Sequence, residues 1–415
     1  MTRKWTLGLL LGALALAAMI VPVAFGGLTG KQAKTIKFGL IIPEKAPYFD
    51  DTQSLGAAKA ALRAINARGG FNGAKGVLVY CNEKNDANVA SACARQMVQQ
   101  KVAAVVGGVM LSGAPVNAIL QAAKIPQIGI YPTTAAEYNA PNVFLLGGQG
   151  AYDWQVTTAY AANQGARISF VANDNAASTG NKPVLQGVAV KASNGTGFVN
   201  SVTVPTAVAD FSPLVASAEK GGATAALVYL DPGGNGKQFM LAAEAANAPF
   251  KYYIRVGSDM SLAQAMGSAA AKMIDASPFP IGGGKPLVSG NALLQRFYKE
   301  LAIEKKSGDA FADASLTRTS SLGTWLGYYV VEKLVKTGKV KGNVTAASLM
   351  KAMNSAKNIN MGGVIPPWTP TAPGPTGFSR VSNPYMYITS YTTSGQPKLL
   401  APKPVTVAQA IAGKY

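Results

Sequence analysis

Any chemistry in this chain proceeds without histidine, which is absent from all 415 residues, so the commonest general base and metal ligand is missing. The two cysteines, Cys81 and Cys93, make a poor zinc site without it. Three glycine-rich stretches imitate phosphate loops and fail on their chemistry. Asp231-Pro232-Gly233-Gly234-Asn235-Gly236-Lys237-Gln238 lacks the opening glycine and the hydroxyl that would hold magnesium. Gly282-Gly283-Gly284-Lys285-Pro286 ends on a residue with no N–H to donate, and Gly148-Gln149-Gly150 lacks the third glycine of a dinucleotide fingerprint. No Ser-x-x-Lys stands at a strand-to-helix turn, where a Ser/Lys hydrolase needs it. These patterns predict no catalytic residue, no metal and no cofactor.

What remains is recognition, by groups collected in loops. Leu111, Ser112 and Gly113 precede a predicted helix, so their backbone N–H groups can bind a carboxylate or another anion. Tyr131, Thr133 and Thr134 follow a strand; the hydroxyls can hold a ligand's polar head or cap the next helix. Asp231 and Asn235 line a further loop. Tyr48 and Phe49 form either an aromatic wall or packing between elements.

These loops must be positioned by regular elements, and residues 56–86 show how. Leu55, Ala58, Leu62 and Ile65 recur at helical spacing with Lys59, Arg63 and Asn66 off the stripe. Gly69-Gly70 stops that helix, because a C-terminal cap needs positive φ. Val77-Leu78-Val79-Tyr80 is wholly apolar, as a parallel strand covered on both faces requires. Asp86 or Asn88 caps the next helix, where Val89, Cys93 and Met97 line one side. The same α-β-α rhythm predicts strands over 35–42, 103–107 and 126–131, then a crossing near the glycines of 147–151. It restarts with a helix over 153–164 and strands over 168–172, 197–204, 225–229 and 252–256. Residues 277–286 read as a return crossing into helices over 292–305, 322–336 and 345–353, with a last strand over 385–391. In open α/β sheets ligands bind beyond the carboxyl ends of strands, where these loops fall.

The run INARGGFNGAKGVLVYCNEKND followed by CARQMVQQKVAAVVGG resembles the first lobe of ABC-transporter substrate-binding proteins of the branched-chain amino-acid type, the leucine/isoleucine/valine-binding-like type I periplasmic binding proteins. The resemblance runs from about residue 35 to about residue 400. It implies two Rossmann-like doubly wound α/β lobes joined by a three-stranded hinge, with a ligand buried between them on closure. The lobes are expected over 35–150 with 278–361, and over 151–277 with 362–400, followed by a tail at 401–415. The family presents a side chain after strand one, where Tyr48 and Phe49 stand, and serines in the loop where Ser112 is the nearest match. It often uses an acid or tyrosine at the crossing, here Tyr152 and Asp153. It places an acid for a ligand ammonium group where this chain has Ser258-Asp259. It also offers a tyrosine after the strand over 168–172; this chain has Asn173-Asp174-Asn175-Ala176-Ala177-Ser178 there, with Asp174, Asn175 and Ser178 as candidate contacts instead.

Arg3-Lys4, the apolar run over 5–23 and Ala24-Phe25-Gly26 read as an export signal peptide over 1–26, cleaved near Gly26. In an exported protein Cys81 and Cys93 favour a disulfide, with two small buried apolar residues as the other reading. The formal charge of +19 falls to +17 when Arg3 and Lys4 leave with that segment. The charges are scattered without a basic run, so a solvated basic surface is expected rather than nucleic-acid binding. The expected function is a monomeric, periplasmic, non-enzymatic carrier that captures a small molecule, an amino acid or related compound, and delivers it to ABC transporter permease subunits. The alternatives are a membrane-anchored ligand sensor of the same fold and an envelope hydrolase.

Overall fold

The computed structural model describes residues 34–46, 49–174, 176–205, 207–254, 260–282 and 285–415. The export segment, Tyr48, Asn175, Ser258 and Asp259 lie outside these residues. Strands β1 (Thr35–Ile42), β2 (Lys75–Asn82), β3 (Val105–Val106), β4 (Gln127–Ile128) and β5 (Val143–Phe144) form a parallel sheet in the order β2-β1-β3-β4-β5. Order therefore reverses between β1 and β3, which opens a crevice at their carboxyl ends.

Both faces of this sheet are covered, which explains the uninterrupted apolar strands. Phe38, Leu40 and Ile42 pack with helices Thr52–Ala67, Ala292–Lys306 and Thr319–Lys336, while Ile41 and Val105 meet Met97 and Val116 on the other face. Asp86 caps the helix Ala87–Gln99 by accepting the N–H groups of Asn88 and Val89. Cys81 and Cys93 are joined as a disulfide that ties the end of β2 to that helix. The strand expected over 103–107 is only two residues long, because Gly107 and Gly108 turn to φ of 74° and 85°. A Cβ on Gly107 would lie 2.0 Å from the Thr324 hydroxyl, so glycine there lets the helix Thr319–Lys336 reach the strand ends. That helix begins three residues before the expected 322.

The second sheet contains β6 (Ile168–Asn173), β7 (Asn200–Val204), β8 (Ala225–Tyr229), β9 (Lys251–Ile254) and β10 (Met273–Ser277). A hairpin, β11 (Ile281–Gly282) and β12 (Lys285–Pro286), follows, and β13 (Tyr387–Tyr391) and β14 (Pro397–Leu399) complete the strands. The order is β14-β13-β10-β9-β8-β6-β7, with β13 antiparallel to both its neighbours. Here order reverses between β6 and β8. The strand Met273–Ser277 and the helix Met260–Met266 are not among the expected elements; the alanines at 269–271, just before the strand, hide its short apolar run.

The chain passes between the two sheets three times: from β5 to β6, from β10 to the helix Ala292–Lys306, and from Trp368 in the first core to Val381 and Met386 in the second. Residues 401–415 continue onto the second lobe, where Val405 pairs with Met386 and helix Val407–Ile411 packs on helix Tyr152–Asn163. Among the described residues no helix is long and apolar enough to cross a membrane.

Candidate functional site

The crevices at the two reversal points face one shared cleft. On the first lobe its wall is built around Asp51, which is fully buried. The Asp51 carboxylate accepts the Val109 N–H at 3.0 Å from the loop after β3, and the Ser320 hydroxyl at 2.6 Å from the start of helix Thr319–Lys336. Arg318 Nη1 donates to the Asp50 carbonyl at 2.7 Å. Three segments far apart in sequence are thereby fixed to one another. Burial pushes the Asp51 carboxyl up to about 6, against the lowering effects of the Ser320 hydroxyl and the Arg318 charge.

A cavity of about 290 Å³ opens against this wall. The first lobe contributes Phe49, Asp50, Leu111, Tyr131, Thr133 and Arg318 through Ser320; the second contributes Asp231, Pro232, Gly233 and Ala276. Asp153 reaches it from the first passage between sheets and is 2% exposed. Its carboxylate accepts the Tyr131 hydroxyl at 3.2 Å and the N–H groups of Gly150 and Trp154 at 3.0 and 2.8 Å. A second compartment of about 500 Å³ adjoins the first and brings in Asp174, Ser178, Asn235, Trp154, Asn181, Tyr229 and Phe378. The Asn235 amide also donates to the Pro205 carbonyl at 3.1 Å.

The structure thus brings Phe49, Leu111, Tyr131, Thr133, Asp153, Asp174, Ser178, Asp231 and Asn235 to one cleft. Other candidates stand apart from it. Thr134 caps the short helix Ala135–Asn139: its hydroxyl and N–H both donate to Glu137 Oε2 at 2.9 Å. Burial raises the Glu137 carboxyl above its ordinary value, although the Thr133 and Thr134 donors oppose it. Ser112 sits at the N-cap position of helix Gly113–Ala122 without a side-chain cap bond, and a Cβ on Gly113 would lie 2.3 Å from that same Glu137 carboxyl. Neither lines either compartment. The Tyr152 ring is buried against Phe378, with centroids 5.5 Å apart.

Asp50, Arg318, Thr319, Ser320, Trp154, Asn181 and Tyr229 line the cleft and were not singled out by sequence. The run Thr317-Arg318-Thr319-Ser320-Ser321 before an apolar stretch carries a usable signal, since hydroxyl residues mark helix starts. For Tyr229, the last residue of β8, its place beside the strand-order reversal decides its position, and that order is a tertiary fact.

A model of the periplasmic binding protein family matches residues 35–396. No curated protein matches the chain significantly in sequence. Among solved structures, an extracellular ligand-binding receptor from Verminephrobacter eiseniae superposes with a TM-score of 0.74 at 16% identity, covering 88% of this chain and 99% of its own. The branched-chain amino acid transporter substrate-binding protein of Streptococcus pneumoniae, in complex with isoleucine, gives 0.67 at 17% identity, covering 90% and 100%. A solute-binding protein of an ABC transporter from Rhodopseudomonas palustris, in complex with 3,4-dihydroxybenzoic acid, gives 0.67 at 19% identity, covering 90% and 98%. At these identities the superpositions establish the shared fold.

Proposed function

The chain belongs to the periplasmic binding protein family, and from that premise we propose that it is the solute-binding component of an ABC importer. It captures a small molecule between its lobes by closure about the three passages and hands it to membrane permease subunits without transforming it. The observation that carries this reading is the cleft lined from both lobes at both strand-order reversals, where open α/β sheets take ligands. On this reading a signal peptide cleaved near Gly26 delivers the protein to the periplasm as a monomer, and the Cys81–Cys93 disulfide, which suits an oxidising compartment, supports it. The solute class is an amino acid or a related carboxylate, with Arg318 and the start of helix Thr319–Lys336 facing its anionic group.

A thermal-shift screen of amino acids, amides and aromatic acids tests the carrier reading. A true ligand raises the unfolding midpoint, by about 2.7 kcal/mol of stabilisation at one hundred times its Kd. Turnover of any stabilising ester or amide would overturn a purely carrying role. N-terminal sequencing of the exported protein is expected to begin near Gly27; an intact Met1 end would make it an anchored receptor instead.

A further inference from the structure

The two compartments of the cleft meet at a waist, lined on both sides by Phe49, Leu111 and Thr133 of the first lobe and Asp231 of the second. Beyond the waist lies the larger space, about 500 Å³ against about 290 Å³. One wall there is a pair of rings: Trp154 and Tyr229 lie with centroids 4.5 Å apart and planes at 33°. Both are positioned by contacts that involve no ligand. Asn181 Nδ2 donates to the Tyr229 hydroxyl at 3.0 Å, and the Trp154 side chain, from the first turn of helix Tyr152–Asn163, is 4% exposed and packed into the core of the second lobe. Behind Tyr229 the series continues through Phe170, at 5.8 Å, to Phe198, stacked 5.3 Å further on.

Rings fixed in this way lose little freedom when a solute docks, and they favour a planar unsaturated partner in offset or edge contact. The first compartment alone stands at the lower limit of small-molecule sites, whereas the two together stand well within the usual range of ~300–1,000 Å³. A compact amino acid would fill the first and leave the aromatic compartment to water. Resting on the solute-binding reading above, we infer that the cleft takes an elongated solute. Its polar head lies against Arg318 through Ser320, its chain crosses the waist, and its planar ring lies against Trp154 and Tyr229.

Three probes separate this from the general reading: 4-phenylbutyrate, hexanoate, which has a chain and head but no ring, and L-leucine, which is compact. 4-Phenylbutyrate is expected to stabilise the protein at least tenfold more potently than hexanoate or L-leucine. Replacing either ring, by Trp154→Leu or Tyr229→Leu, should remove that preference, and Trp154→Phe should retain most of it. The milder variant guards against a loss caused by misfolding, since each purified protein is also compared by its unliganded unfolding midpoint. If L-leucine binds as well as 4-phenylbutyrate and the ring variants leave both unchanged, the two-compartment inference is overturned while the carrier reading stands. If no probe shifts the midpoint, the inference is overturned as well, and the carrier reading is judged by the wider screen.

Discussion

Glu332 and Asp51 are both buried carboxylates of the first lobe, and they brace opposite ends of the helix Thr319–Lys336 by different means. Glu332, in the last turns, accepts from Arg68 at 3.1 Å, Arg296 at 2.9 Å and Lys336 at 2.7 Å. Neighbouring Glu300 takes Arg68, Arg296 and the Trp325 N–H, so the charges form a closed network. Burial alone would raise the Glu332 carboxyl, but hydrogen bonds from Arg68, Lys336 and Arg296 outweigh it and hold it at about 2. Asp51, at the cleft end, takes a hydroxyl and a backbone N–H instead, and burial leaves it at about 6. The far end is locked by ion pairs away from the cleft. The near end, which sets the cleft wall, rests on an anion whose protonation changes close to neutral pH.

The comparison is broken most severely by removing Glu332. Glu332→Ala removes the partner shared by Arg68, Arg296 and Lys336, leaving both guanidinium groups on Glu300 alone, and is expected to cost about 2 kcal/mol in urea unfolding, with ligand affinity unchanged. A weaker ligand in that variant would mean that the network reaches the cleft. Asp51→Ala should do the opposite. It releases Val109 and Ser320 from each other, so affinity for a ligand of the first compartment falls about tenfold, ~1.4 kcal/mol by titration calorimetry. Its stability loss should be smaller than that of Glu332→Ala, because relief of burying the charge offsets the lost hydrogen bonds.

The smallest effect is that of pH. The Asp51 carboxyl titrates near 6 in the fold and near its ordinary 3.8 when unfolded. Between those values the folded state holds the extra proton, so lowering the pH through 6 towards 4 stabilises the fold. Glu83, which burial raises to about 7, contributes with the same sign. Glu332, depressed from 4.5 to about 2, keeps its contribution above pH 4.5 and loses it only as the pH falls towards 2. Going from pH 7 to 5 should therefore stabilise the protein, with about 1 kcal/mol of the gain coming from Asp51, and Asp51→Asn should remove that share. A flat profile in the parent protein would show that Asp51 does not titrate there.

Much of the α/β rhythm was legible because parallel strands buried on two faces must be apolar, as over Thr35–Ile42 and Ala225–Tyr229, whose ends the sequence places correctly. Glycines at 69 and 70 and the cap at Asp86 were legible for the same reason: they answer local backbone needs. The strand Met273–Ser277 was not, since its five residues directly follow the alanines at 269–271, which suit helix as well. Within the site, Phe49, Thr133 and Asp231 could be picked out as loop residues after strands. Thr134 could not be assigned between ligand and cap until Glu137 was seen to accept from it.

Local chemistry in the chain determined which segments are strands and helices, which loops follow them, and that histidine-dependent catalysis is absent. Only the tertiary structure decided which of those loops meet. Strand order in a sheet is set by long-range packing, and it alone brings Asp51, Val109 and Ser320 within hydrogen-bond reach across more than two hundred residues, and Trp154 against Tyr229. The cleft is built from such pairs, whose energies depend on distance in space and leave no periodic trace along the chain.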